Sequence, residues 1–119
     1  LPDEKTGGEW TDRHLQLFIA HNRGAQYYVG EWKKPEFIPF VHGRFSWADS
    51  GCFAPEALID NKNRQLAWFW FRAEDEEEFR DLGWTGVYTF PRALWWEDGV
   101  LRFTLGNCYP TMYYLIRSE

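Results

Sequence analysis

The feature that most limits how this chain can fold is its supply of rings: eight Trp, ten Phe and six Tyr, one residue in five, against a single Met. Ring-bearing side chains suit half-buried pleated strands and stacking surfaces, whereas a helical bundle core would draw on Leu, Ala and Met. The rings also sit in short alternating stretches, the period of a strand with one face covered. Such stretches run from His14 to Ile19, Gln26 to Trp32, Gly43 to Trp47, Pro55 to Ile59, Gln65 to Arg72, Val87 to Phe90, Ala93 to Trp96, Val100 to Thr104 and Tyr113 to Ile116. Between them, His21-Asn22-Arg23-Gly24, Asp60-Asn61-Lys62-Asn63 and Glu97-Asp98-Gly99 supply the Asn, Asp and Gly residues that tolerate the positive φ of tight reversals. Glu74 to Arg80 is the one stretch with helical character, and its run of like charges reads better as a solvated loop.

The chain has 119 residues, 45% hydrophobic and 26% charged, which is the make-up of one globular unit rather than a disordered tail. No linker, low-complexity tract or clean repeat divides it, so residues 1–119 are read as a single structural unit. Its net charge of −5 opposes a phosphate backbone and argues against a nucleic-acid partner. No apolar run approaches the roughly 20 residues of a membrane-spanning helix, and no targeting segment is visible. The opening Leu1-Pro2-Asp3, without Met, reads as the start of a processed or excised segment.

Cys52 and Cys108 are expected to be free thiols, since a secreted domain held by disulfides would usually carry more cysteines. Neither they nor His14, His21 and His42 show a metal-ligand spacing, and no metal or cofactor is expected. Nine short strands separated by turns fit a sandwich, a barrel or about two four-stranded propeller blades, and composition does not choose among these.

Three ordered stretches narrow the choice. They are Gln26-Tyr27-Tyr28-Val29-Gly30-Glu31-Trp32; Phe53-Ala54-Pro55-Glu56 with Asp60 and the run Asn63-Arg64-Gln65-Leu66-Ala67-Trp68-Phe69-Trp70; and Gly83-Trp84-Thr85-Gly86 with Pro91-Arg92-Ala93-Leu94. Together they resemble the later part of the catalytic domain of glycoside hydrolase family 32, the β-fructosidases that include invertases and fructan hydrolases. The resemblance covers roughly residues 14 to 104. It implies an all-β fold: the C-terminal portion of a five-bladed β-propeller, about two four-stranded antiparallel blades, whose remaining blades are partners supplied by the parent chain. The tail after Cys108 departs from the family pattern, keeping only Leu115 and Arg117, and Asn63 stands where the family has Gly.

Retaining hydrolysis of a fructoside needs two carboxyl groups roughly 5 to 5.5 Å apart, one as nucleophile and one as acid and then base. The family's nucleophile motif, Trp-Met-Asn-Asp-Pro-Asn-Gly, is absent. Its Arg-Asp-Pro is absent too, Arg80-Asp81 being followed by Leu82. Leu1-Pro2-Asp3 resembles the end of the family's Glu-Cys-Pro-Asp, which would put the acid/base just before Leu1. On this reading the chain holds no catalytic residue; Glu4 and Glu9, the nearest alternatives for the acid/base, read better as solvated residues of a Gly-rich entry loop.

What remains binds or supports. The resemblance places Trp70 beside the sugar, where an indole face stacks on the CH patches of the ring and excludes water; packing between blades accounts for a Trp there equally well. Glu56 and Asp49 fall where the family contacts substrate hydroxyls, and a carboxylate accepts two of these at once. Asp49 also fits an ordinary Asx turn. Arg92 is expected to tie blades together by a structural hydrogen bond or ion pair. The implied function is part of a glycoside hydrolase acting on β-fructosides such as sucrose or fructans. The alternative is a non-catalytic carbohydrate-binding β domain, and a third reading is a structural module whose Trp residues are all core.

Overall fold

The computed structural model describes residues 1–21, 23–45, 52–72, 83 and 86–105. The expected strand at 113–116, the acidic stretch at 74–80 and the tail after Cys108 lie outside these. All the regular structure described is β: β1 (His14–Ala20), β2 (Gly24–Lys33), β3 (Glu36–Arg44), β4 (Cys52–Ile59), β5 (Gln65–Arg72), β6 (Gly86–Tyr88), β7 (Arg92–Glu97) and β8 (Val100–Leu105). Every pairing is antiparallel.

The strands form two sheets, one ordered β1-β2-β3 and the other β4-β5-β7-β8, with β6 also paired to β5. The second sheet has a four-stranded plan with a broken third strand. Trp70 stands opposite Tyr88 and Ala67 opposite Arg92, so β6 and β7 follow one line along β5 with an extra residue between them. Thr89 bridges the break: its backbone N–H donates to the Phe69 carbonyl at 2.8 Å, and its hydroxyl accepts the Phe69 N–H at 3.1 Å. Phe69 therefore keeps both backbone partners although Pro91 follows closely. Among the described residues the first sheet has three strands where four were expected. Its third strand begins at Glu36, not Gly43. Pro35 and Pro39 hid it from an alternation pattern, and the extra residue Phe40, between the Val29–Val41 and Gly30–Pro39 pairs, lets Pro39 be accommodated in β3.

The turns follow the sequence chemistry. Asn63 and Asp98 adopt φ of 60° and 53°, and Gly99 follows at 76°. In the β4–β5 turn the Asp60 carboxylate accepts from the backbone of Lys62 and Arg64 and from the Arg64 guanidinium. The Arg64 side chain, foremost, holds that carboxyl below its ordinary pKa.

The sheets pack face to face. Ala25 and Val29 of β2 meet Cys52, Ala67, Phe69, Leu94 and Leu101 of the second sheet, with Phe45 between them. Phe45 is anchored to the first sheet through its N–H to the Ala25 carbonyl, and its ring lies 4.6 Å from Phe69 and 5.3 Å from Phe103. Arg92 reaches across from β7. Its guanidinium donates to the Phe45 carbonyl at 3.0 Å and sits over the Phe69 and Phe103 rings. This is the tie between sheets expected of it.

Arg92→Met should keep most of the aliphatic packing but leave the half-buried Phe45 carbonyl without its charged donor. A hydrogen bond to a charged group is worth about 1.5 to 3 kcal/mol, so the unfolding free energy read from urea titration should fall by an amount in that range. Arg92→Lys should recover only part of it, because an ammonium lacks the planar fork that stacks and donates together. Equal stability of all three proteins would show that Arg92 does not join the sheets.

Candidate functional site

β5 divides its side chains between two environments. Phe69 and Ala67 point into the packed interface and are fully buried. Trp68 and Trp70 point to the opposite face, where Trp68 is half-buried and Trp70 is 39% exposed. Both faces of this strand are therefore apolar, but only one is covered by described residues.

On the open face, register builds a row across three strands. Phe53 of β4 and Tyr88 of β6 lie on either side of Trp70. Tyr88 is 74% exposed. β4 carries an irregularity between Phe53 and Glu56, where Ala54 takes a φ of 44° and Pro55 follows. The extra residue returns Glu56 to the same face as Phe53, opposite Trp68. Two residues along a strand span about 6.6 Å. Glu56 thus lies diagonally across from Trp70 on a shared surface, one such step along and one strand over, and its side chain is exposed. Asp49, the third expected contact residue, lies outside the described residues.

This row of two rings flanking an indole, with a carboxylate beside it, can bind a neutral polyhydroxylated ligand by stacking and hydroxyl hydrogen bonds. Phe53 and Tyr88 were not singled out by sequence reasoning. The bulge in Phe-Ala-Pro-Glu is the signal that brings Phe53 and Glu56 together on one side. Among the described residues, no group of three His, Cys, Asp or Glu side chains gathers in a metal-binding arrangement. No helix is long and apolar enough to cross a membrane among them.

Other candidates fall elsewhere. Cys52 points away from Trp70 into the core, free of any disulfide, and burial pushes its thiol pKa up, with Arg92 acting in the opposite sense. Cys108 lies outside the described residues. Glu4 and Glu9 are exposed on the entry loop. On the outer face of the first sheet, Phe18 stacks on Tyr28 at 4.9 Å, and His42 sits 4.9 Å from Tyr28 and bonds Gln26 at 2.7 Å. Leu1, Pro2 and Asp3 lie at the opposite end of the sheets from Trp70: the Pro2 carbonyl accepts the N–H of Trp96, which lies beyond the Leu94–Gln65 pair at the start of β5.

A family model described as the glycosyl hydrolases family 32 N-terminal domain matches residues 8–104. Among curated proteins none matches the sequence. Among solved structures, fructan 1-exohydrolase IIa from Cichorium intybus matches with a TM-score of 0.67 at 20% identity over 86% of this chain. The chain spans 22% of that protein's length. At this identity the likeness is one of fold, and it places the two sheets as part of a β-propeller.

Thiol chemistry tests the placement of β4. In a Cys108→Ser background, native Cys52 should react with a thiol reagent at least about 100-fold more slowly than in urea, because a buried thiol is both screened and harder to ionise. Similar rates in the two states would put Cys52 on the surface and overturn the register of β4 on β5.

Proposed function

The chain belongs to the glycosyl hydrolases family 32 N-terminal domain, and from that premise we propose that it is the C-terminal portion of a five-bladed propeller in a glycosidase that cleaves β-fructosides with retention. The match over residues 8–104 supports the glycosidase part of this reading, and the order of the motifs in the sequence supports the late placement. The segment walls the sugar pocket. Trp70, with Phe53 and Tyr88, offers the stacking surface, and Glu56 and Asp49 accept hydroxyl hydrogens. The parent chain supplies the remaining blades and all the cleaving carboxylates.

The division of labour follows from what the chain contains. A retaining mechanism passes through a glycosyl-enzyme intermediate, and without the nucleophile there is no route to it. The wall contributes differently. An indole against the reacting ring excludes water and favours the developing positive charge, so its effect appears in the transition state.

A second reading is favoured by the orientation of Trp70. It points away from the face that packs on the first sheet, and Leu58 and Tyr88 on the same open side are also exposed. In a closed propeller this side meets the next blade, and Trp70 would then be packing rather than wall.

Two measurements test these readings. The isolated 119-residue chain should release no fructose from sucrose or fructans above a buffer blank; release would mean the cleaving carboxylates lie within it. In the parent enzyme, Trp70→Ala should lower kcat/KM by roughly one to two decades, equivalent to about 1 to 3 kcal/mol. Trp70→Phe, which keeps a ring, should recover most of that. If Trp70→Ala loses stability by the 3 to 5 kcal/mol or so typical of a core Trp truncation, Trp70→Phe loses less, and kcat/KM of the folded fraction stays unchanged in both, the packing reading holds instead.

A further inference from the structure

β4 sets two residues, Ala54 and Pro55, opposite Phe69, where a regular ladder would place one. The first residue of such a bulge takes either a right-handed helical backbone or a positive φ, and the second form is ordinarily filled by Gly. Pro55 closes the first route, because its ring crowds the right-handed form of the residue before it. Ala54 accordingly sits at a φ of 44°. Among the described residues, every other positive φ falls on Gly7, Gly24, Gly83, Gly99, Asn63 or Asp98, types that tolerate it. Ala54 is also exposed, so burial of its methyl does not account for the choice of Ala.

A residue held in a costly backbone form persists where its surroundings fix it, and such residues gather at ligand sites. Both sides of Ala54 are fixed. Cys52 is buried in the core two residues earlier, Phe53 is paired with Trp70, and Glu56 is paired with Trp68. The bulge decides where the carboxylate goes. Carried on regularly from the Phe53–Trp70 pair, β4 would set Glu56 opposite the buried Ala67, on the face that packs on the first sheet. With the extra residue, Glu56 stands opposite Trp68, on the face of Trp70. The extra residue between β6 and β7 lies at the same level on the other side of β5, and it turns Arg92 toward the core. Together the two irregularities send the carboxylate to the open face and the guanidinium to the closed one.

We propose that Ala54 and Pro55 are positioning residues of the sugar site: they lock the bulge in its positive-φ form and so fix the aim of the Glu56 carboxylate beside Trp70. The proposal rests on the reading of that face as the wall of a sugar pocket. Ala54 and Pro55 act through Glu56 and not on the sugar.

Two substitutions separate the lock from ordinary packing. Pro55→Ala reopens the right-handed form, whereas Ala54→Gly removes the cost of the positive φ and keeps the proline. In the parent enzyme, Pro55→Ala should melt close to the parent yet lose at least about tenfold in kcat/KM, the size of one hydrogen bond to a charged group. Ala54→Gly should keep the parent's rate. Glu56→Gln should lose a similar factor, and adding Pro55→Ala to it should cost nothing more, since a residue acting through Glu56 has no effect once the carboxylate is gone. Where Glu56→Gln does slow the enzyme, losses that multiply, or a parental rate in Pro55→Ala, would overturn the proposal. So would a Pro55→Ala protein that does not fold, because Pro55 would then hold the sheet and not the aim of one side chain. A crystal structure of Pro55→Ala reads the lock without activity: Ala54 should move to negative φ and the Glu56 carboxyl should shift, and a φ still near 44° would overturn the lock. An active parent indifferent to Glu56→Gln, with Ala54 at negative φ in that crystal, sinks only the sugar contact and leaves the lock.

Discussion

The contact between Phe45 and Phe69 holds the two sheets in their relation to one another. Phe45 is bound to the first sheet by its backbone, Phe69 is the central residue of β5, and Arg92 closes the contact by bonding the Phe45 carbonyl above both Phe69 and Phe103. Fully burying a Phe side chain is worth about 1.5 to 3 kcal/mol, and a guanidinium that donates while stacked restores the polar bond that burial of the carbonyl would otherwise cost. With Phe69 inward, strand alternation sends Trp68 and Trp70 to the opposite face. The candidate ligand surface is thus a consequence of the inter-sheet core.

The break in the third strand of the second sheet serves the same arrangement. Pro91 cannot donate to the ladder, and the extra residue there separates β6 from β7. Thr89 supplies through its hydroxyl what the strand lacks, so Phe69 stays fully bonded. Tyr88 before the break then pairs with Trp70, while Arg92 after it turns toward the core. One irregularity therefore directs a ring to the open face and a cation to the closed one.

Much of this was legible in the chain itself. The density of rings and the spacing of Asn, Asp and Gly indicated short antiparallel strands, and Asn63, Asp98 and Gly99 take the left-handed backbone their types allow. The ordered motifs indicated the family. Other features were hidden for physical reasons. β3 contains Pro39 and a compensating irregularity, so its residues do not alternate cleanly. That the first sheet has three strands among the described residues could not be read because strand number depends on which edges are paired, a non-local property. Glu56 and Phe53 share a face only because Ala54 adopts a positive φ that nothing about Ala foretells. Leu1, Pro2 and Asp3, read as adjoining the acid/base, sit at the far end of the sheets from Trp70.

On the proposed reading, this segment furnishes a wall of the sugar pocket and none of the groups that cleave. The most direct measurement is a crystal structure of the parent enzyme with an unreactive fructoside bound. The account predicts a fructosyl ring stacked on the Trp70 indole, with both carboxyl groups that flank the anomeric carbon contributed from outside residues 1–119. A carboxylate from within residues 1–119 in bonding reach of that carbon, or a sugar bound with Trp70 enclosed between blades away from it, would contradict the claim.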